Sequence, residues 1–315
     1  MKSVLRFLRE YTLPLSMFLG VIGYKYFNDL EFLLKYLIFF MLFFTFCKVN
    51  PIDLRLHRWH WLVLLLQIVL TVVSYYVILP FDPIVAQGVM LCFIMPTATA
   101  GPIIAGKLGG SIQSLTSFTL LSNLATAVLV PLWFPIVNPS SEITFSQAVY
   151  VILGKLSFVL ICPFVLAWLI RLLFDAIYKV KGSNKHFHLP RVIASMPFYL
   201  WAVSLVILMA NITNTLITTK YDLQTVIWQV VISLFACVVQ FYLGKRIGER
   251  YPSQPHGEDY DDVLIVGAQK SKDISVQTRI SAGQAFGQKN TTLAIWMANW
   301  YLNPLASIGA AAYIV

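Results

Sequence analysis

Residues 95–102 read Met95-Pro96-Thr97-Ala98-Thr99-Ala100-Gly101-Pro102 and lie inside an otherwise apolar run, Ile84 to Ala105. Two prolines six residues apart remove backbone donors and clash with the turn before them. Gly101 adds backbone freedom. A lipid-facing helix would leave the freed carbonyls without partners, so this stretch belongs buried in protein or lining a cavity. Thr97 and Thr99 put hydroxyls inside the break, and with Gly101 and Pro102 they are candidate substrate contacts.

A second interruption lies near the C-terminus. Ser281-Ala282-Gly283-Gln284-Ala285-Phe286-Gly287-Gln288-Lys289-Asn290-Thr291-Thr292 is polar and glycine-containing, and runs into apolar Leu293-Ala294-Ile295-Trp296-Met297. Lys289 follows Arg279 by ten residues. At helical rise that is about 15 Å, the middle of a hydrocarbon core of about 30 Å. Lys289, Asn290 and Thr291 complete the candidate substrate contacts.

The background around both breaks is that of a membrane protein. Of 315 residues, 58% are hydrophobic and 12% charged, against about 25% charged in a soluble domain. The mean hydropathy is +0.74. These values exclude a water-soluble enzyme and a nucleic-acid-binding module. The apolar runs are continuous, not alternating, which argues against a transmembrane β-barrel. Spans are expected at about 11–27, 32–47, 61–79, 84–105, 111–136, 149–174, 192–217, 226–243 and 280–301, with a tenth starting near Leu305. That tenth, ending at Val315, is too short to cross and reads as a truncated helix. Cys47, Cys92, Cys162 and Cys237 are scattered through apolar stretches without metal or disulfide spacing, and read as small core residues.

The two interruptions fall in the fourth of spans one to five and the fourth of spans six to ten. The expected fold is therefore all-α and integral to the membrane, with ten transmembrane helices as two inverted five-helix repeats. Helices four and nine are interrupted and cross where substrate binds. This is the architecture of a secondary transporter.

Charge sets the expected orientation. Taking every second connection from the N-terminus collects eighteen basic residues, from Lys2 to Arg279, while the opposite connections hold only Lys25, Lys35, Lys155 and Lys220. This bias puts the N-terminus in the cytoplasm of a multi-pass protein of the cell (inner) membrane. Acidic residues are absent between Asp82 and Glu142, between Asp175 and Asp222, and after Asp273. A metal-diphosphate site or a carboxylate proton relay has no candidates there. Residues 250–278, with Pro252, Pro255 and the acidic cluster Glu258, Asp259, Asp261 and Asp262, read as a long cytoplasmic loop.

In the two broken segments, in Gly109-Gly110-Ser111, in Pro131-Leu132 and in Leu66-Gln67, the chain resembles the bile acid:sodium symporter family, over about residues 10–315, as a bacterial member with altered sodium-site residues. The resemblance implies a panel domain (about 11–47 and 149–217) and a core domain (about 61–136 and 226–315) within one transporter unit. It also implies transport of a small organic anion, a carboxylate or bile-acid-like molecule, by alternating access, usually with sodium and with no other cofactor. Gln67, Thr119, Gln284, Gln288 and Lys289 would form the ion-site region. Where the family has an Asn near the fourth-helix break, this chain has Pro102. At the ninth-helix break the family has a Glu followed by Gln-Asn. Aligning on Gly287 and Asn290 matches these with Ala285 and Lys289; aligning on the i, i+4 pair matches them with Gln284, Gln288 and Lys289. Either register lacks a carboxylate and puts an amine in the sodium region.

Lys289 is thus expected to replace sodium or to pair the substrate carboxylate. A sodium-independent or proton-coupled carrier is the alternative within transport. A membrane-embedded sensor, binding the anion without flux, is the alternative from another class.

Overall fold

The computed structural model describes residues 11–47, 54–139, 142–180, 193, 196–219, 221–253 and 273–313. Among these residues the chain is helical without strands; its one β-type pairing is an isolated antiparallel bridge between Thr97 and Lys289. In chain order the helices are α1 (Thr12–Ile22), α2 (Tyr24–Phe27), α3 (Leu34–Phe46), α4 (Arg58–Ile78), α5 (Pro83–Ile94), α6 (Gly101–Lys107) and α7 (Ile112–Val137). They continue as α8 (Phe145–Leu156), α9 (Cys162–Val180), α10 (Met196–Thr218), α11 (Leu223–Arg250), α12 (Ile274–Gly287), α13 (Thr291–Tyr301) and α14 (Ser307–Ala312). Five helical stretches are long and apolar enough to cross a membrane: Arg58–Ile78, Ile112–Val137, Phe145–Ile177, Met196–Thr218 and Leu223–Arg250. Apolar α1 and α5 are shorter.

Several expected spans take a different local form. The one expected at 32–47 is a 3-10 stretch, Asn28–Leu33, leading into α3. The sixth passes through a π-turn, Ser157–Ile161, between α8 and α9. The wider turn accommodates Pro163, which has no N–H to give and would crowd a regular turn. Most of the expected 250–278 loop, residues 254–272, lies outside the described residues. Its last part is helix instead: Asp273 caps α12, its Oδ1 accepting the Ser275 N–H at 2.8 Å, and such a cap starts a helix as surely as an apolar residue does.

The chain divides into two compact units, Met1–Val49 with Gly154–Asp222, and Asn50–Leu153 with Leu223–Val315. In the first, α3 buries Leu34, Ile38 and Leu42, spaced four apart on one helix face, along with Phe39 and Phe46. Phe39 stacks on Phe158 of the π-turn, with ring centroids 5.1 Å apart. Gly20 of α1 lies directly against the Val206 carbonyl and Met209 of α10.

In the second unit α5 is buried on every face from Val85 to Ile94, as expected for a helix that is apolar all round. It packs against α4, α11, α13 and α14. Trp59 of α4 stacks on Phe118 of α7 at 5.6 Å. Trp133 of α7 gives its indole N–H to the Met90 thioether at 3.0 Å. Gly244 and Gly248 of α11 face Ala282 and Thr278 of α12 so closely that a Cβ on either would strike the opposing backbone. Small residues four apart on both helices allow this approach.

Candidate functional site

Helix α5 starts where Asp82 caps it, its Oδ1 accepting the Ile84 and Val85 N–H groups at 2.8 and 3.1 Å. It stops at Ile94 because Pro96 holds Met95 extended (φ −65°, ψ 145°). Helix α12 stops at Gly287 with Gln288 extended, and Asn290 restarts the chain as α13, its Oδ1 accepting the Leu293 N–H at 3.1 Å. The two breaks meet. Ala98 N–H donates to the Gln288 carbonyl at 2.9 Å, and Asn290 N–H donates to the Pro96 carbonyl at 2.8 Å. The two unwound strands thus satisfy each other's backbone, and Thr97 and Lys289 face each other across the bridge.

A helix end leaves its last four carbonyls without intrahelical donors. At the end of α5 each of them has a partner. The Leu91 carbonyl takes Met95 N–H at 3.3 Å. That of Cys92 takes Gln240 Nε2 at 3.1 Å. Phe93 takes Lys289 Nζ at 3.1 Å. Ile94 takes Gln67 Nε2 at 3.0 Å and Thr126 Oγ1 at 3.1 Å. Gln67 also reaches the Met95 carbonyl at 3.2 Å. The end of α12 is served from the other side: Thr97 Oγ1 donates to the Ala285 carbonyl at 2.6 Å, and Tyr313 hydroxyl to that of Gly287 at 2.7 Å. Thr97 and Lys289, opposite each other, therefore each reach back to the other break's incoming helix.

Lys289 is 5% exposed. Its ammonium lies at the negative end of α5, where the helix dipole favours a cation, and 5.1 Å from the centre of the Phe286 ring. Among the described residues no carboxylate pairs with it.

The sequence-nominated residues divide clearly. Thr97, Lys289, Asn290 and Gln67 build the junction directly. Thr97 N–H also donates to Ser122 Oγ at 3.2 Å, while Asn290 Nδ2 and Gln67 Oε1 are buried without a partner among the described residues. Gln284 and Gln288 are half-buried, their Oε1 atoms likewise without a partner. Gln288 Oε1 lies 3.4 Å from where a Cβ on Gly101 would sit. Thr291 donates its N–H to the Lys289 carbonyl at 3.0 Å and opens α13, and Thr99 is half-buried in the turn before α6. Gly101 and Pro102, read from sequence as part of the break, are instead the first residues of α6. A proline there costs nothing because its missing N–H would be unpaired anyway. Thr119 turns back onto its own helix, donating to the Leu115 carbonyl at 2.9 Å.

Gln67 and Gln240 both clamp the same helix end, that of α5. Nothing in the sequence singles out Thr126 or Tyr313, whereas Ser122 belongs to the polar run Ser114, Thr116, Ser117, Thr119, Ser122 and Asn123 of the fifth expected span. Thr126, Ser122 and Tyr313 each act through a contact distant in sequence, and Tyr313 reaches the site only because α14 packs on α5 and α11. Among the described residues no three His, Cys, Asp or Glu side chains gather as a metal site. No protein-family model and no curated protein matches the chain.

Proposed function

We propose that this chain is a secondary transporter of an organic anion, of the bile acid:sodium symporter type, in which Lys289 stands in for the coupling cation and transport runs without sodium. The observation that carries this reading is the Lys289 ammonium donating to the Phe93 carbonyl at the junction of two interrupted helices. Sites of this kind hold a cation with half-helix C-terminal carbonyls. The carbonyls of Cys92, Phe93, Ile94 and Met95 each accept a side-chain donor, and a fixed amine at the negative helix end repels a second cation beside it, which supports replacement of sodium over binding of both. That contact favours cation replacement over pairing of the substrate carboxylate as the resting role of Lys289.

Helix lengths support a junction deep in the bilayer. The 12 residues of α5 and 14 of α12 extend about 18 and 21 Å, short of a core of about 30 Å. The exchanged contacts of Thr97 and Lys289 support the inverted ten-helix repeat. The unit holding both breaks is read as the core and the other as the panel. The basic-residue bias supports a cytoplasmic N-terminus.

The test is uptake of candidate monocarboxylates and bile-acid-like anions into proteoliposomes. We expect equal initial rates with and without an inward sodium gradient, and loss of most uptake in Lys289→Ala. Strict sodium dependence that survives Lys289→Gln overturns the coupling assignment. Saturable binding with no uptake under any gradient makes the protein a sensor.

A further inference from the structure

Arg55, Arg58 and Arg250 converge with His57 and Tyr251 on one cavity of about 660 Å³ in the second unit, walled also by Leu56 and Pro252. The cavity joins the start of α4 to the end of α11, and its walls are tied down from within the unit. Arg55 N–H donates to Ser117 Oγ of α7 at 3.1 Å. His57 N–H donates to His60 Nδ1 at 3.1 Å, and His60 Nε2 meets Ser114 Oγ at 3.2 Å. Trp59 Nε1 donates to Ser253 Oγ at 3.2 Å, and Ser253 N–H to Thr278 Oγ1 at 3.0 Å. The backbone carrying the arginines is therefore held in place without using their guanidinium groups.

Three guanidinium groups around one cavity, exposed and without a hydrogen-bond partner of their own among the described residues, call for an anion. Among the described residues the ion pairs are Arg171 with Asp175 and Arg246 with Glu249. Glu249, next to Arg250 in sequence, is turned to Arg246 at 3.7 Å. Guanidinium groups match phosphate oxygens with two parallel N–H donors each, and the first turn of α4 adds the positive end of its dipole.

We propose that this cavity binds a phosphate group, presented by an anionic lipid headgroup. The lipid is favoured over a free phosphate by what adjoins the arginines. Arg58, Trp61, Leu65 and Val69 follow one another at three- and four-residue spacing on one face of α4, and the three apolar side chains are 54%, 58% and 45% exposed. An indole beside a basic cluster marks a membrane–water boundary, and the aliphatic stripe beyond it is where an acyl chain would lie.

The test uses the purified full chain in neutral detergent, with phosphatidylglycerol, phosphatidylcholine and inorganic phosphate as separate probes. Bound lipid is read by native mass spectrometry and stabilisation by thermal unfolding. Phosphatidylglycerol should bind selectively over phosphatidylcholine and raise Tm. Arg58→Gln and Arg250→Gln should each weaken it about fivefold, and the double variant about 25-fold, with Arg→Lys variants weakened less because they keep the charge. If the double variant does not give a monodisperse protein, Arg55→Gln, which alters a residue ahead of α4, serves in its place. Equal retention of both lipids, or unchanged phosphatidylglycerol binding in the arginine variants, overturns the proposal. If inorganic phosphate alone stabilises the wild type but not the variants, and displaces phosphatidylglycerol, the phosphate site stands and the lipid source is overturned.

Discussion

Lys289 does two things that no uncharged residue combines: it satisfies the Phe93 carbonyl and it puts a positive charge at the negative end of α5. Lys289→Met removes both, and Lys289→Gln removes the charge but keeps an N–H donor on a slightly shorter side chain. Thermal unfolding in detergent should rank them accordingly, with Met costing about 1–3 kcal/mol for the orphaned carbonyl alone and Gln costing less. The carbonyls of α5 allow a finer comparison. Ile94 has two donors, Gln67 and Thr126, whereas Met95 has only Gln67 among the described hydrogen bonds. Thr126→Val should therefore lower Tm less than Gln67→Leu; the opposite order would mean that this end of α5 is not held as described. That an amine sits in the second break, between α12 and α13, is readable from sequence. Which carbonyl it chooses is not, since Phe93 and Lys289 are 196 positions apart and no local pattern links them.

At the scale of elements, the α11–α12 pair is held at backbone distance by Gly244 and Gly248 against Ala282 and Thr278. Gly248→Leu should force the helices apart at a cost of about 1–3 kcal/mol, as overpacking does elsewhere, seen as a lower Tm. Gly154 has open space where a Cβ would go, so Gly154→Ala should leave Tm unchanged or raise it slightly. The G-x-x-x-G spacing of Gly244 and Gly248 is a sequence signal for the close pair, although the polar residues around it, Lys245 and Arg246, obscure its apolar setting. The two breaks were legible for different reasons. Pro96 ends α5 by a rule of covalent geometry that needs no tertiary contact. The second break shows as polarity in an apolar run, and its restart as a capping Asn290. Pro102 differs from Pro96 in that it occupies the first turn of a helix, where proline is tolerated, so a proline count alone does not place the end of the break. Thr119 donates to the carbonyl four residues back, a local bond that a helical hydroxyl makes readily and that the polar run alone does not reveal.

For the whole molecule, composition alone makes the membrane environment legible, and the five long apolar helices accord with it. The division into two units rests on which helices pack together, and periodicity within one helix carries no record of its neighbours. Orientation is the global property with the most direct test. Lys107 and Tyr221 are both exposed, and the charge bias assigns them to opposite sides. In a background without native cysteines, an impermeant thiol reagent applied to intact cells should label Tyr221→Cys and spare Lys107→Cys. The reverse result would invert the assignment.

The bridge between the two breaks has a consequence for deuterium labelling. The amides of Ala98 and Asn290 belong to no helical ladder, yet each is locked to a carbonyl of the opposite break. Their protons should persist for as long as those of the buried helices, an island of slow exchange within loop sequence. Any event that prises the strands apart would release both protons together, so the pair serves as a built-in clock for the opening of the junction.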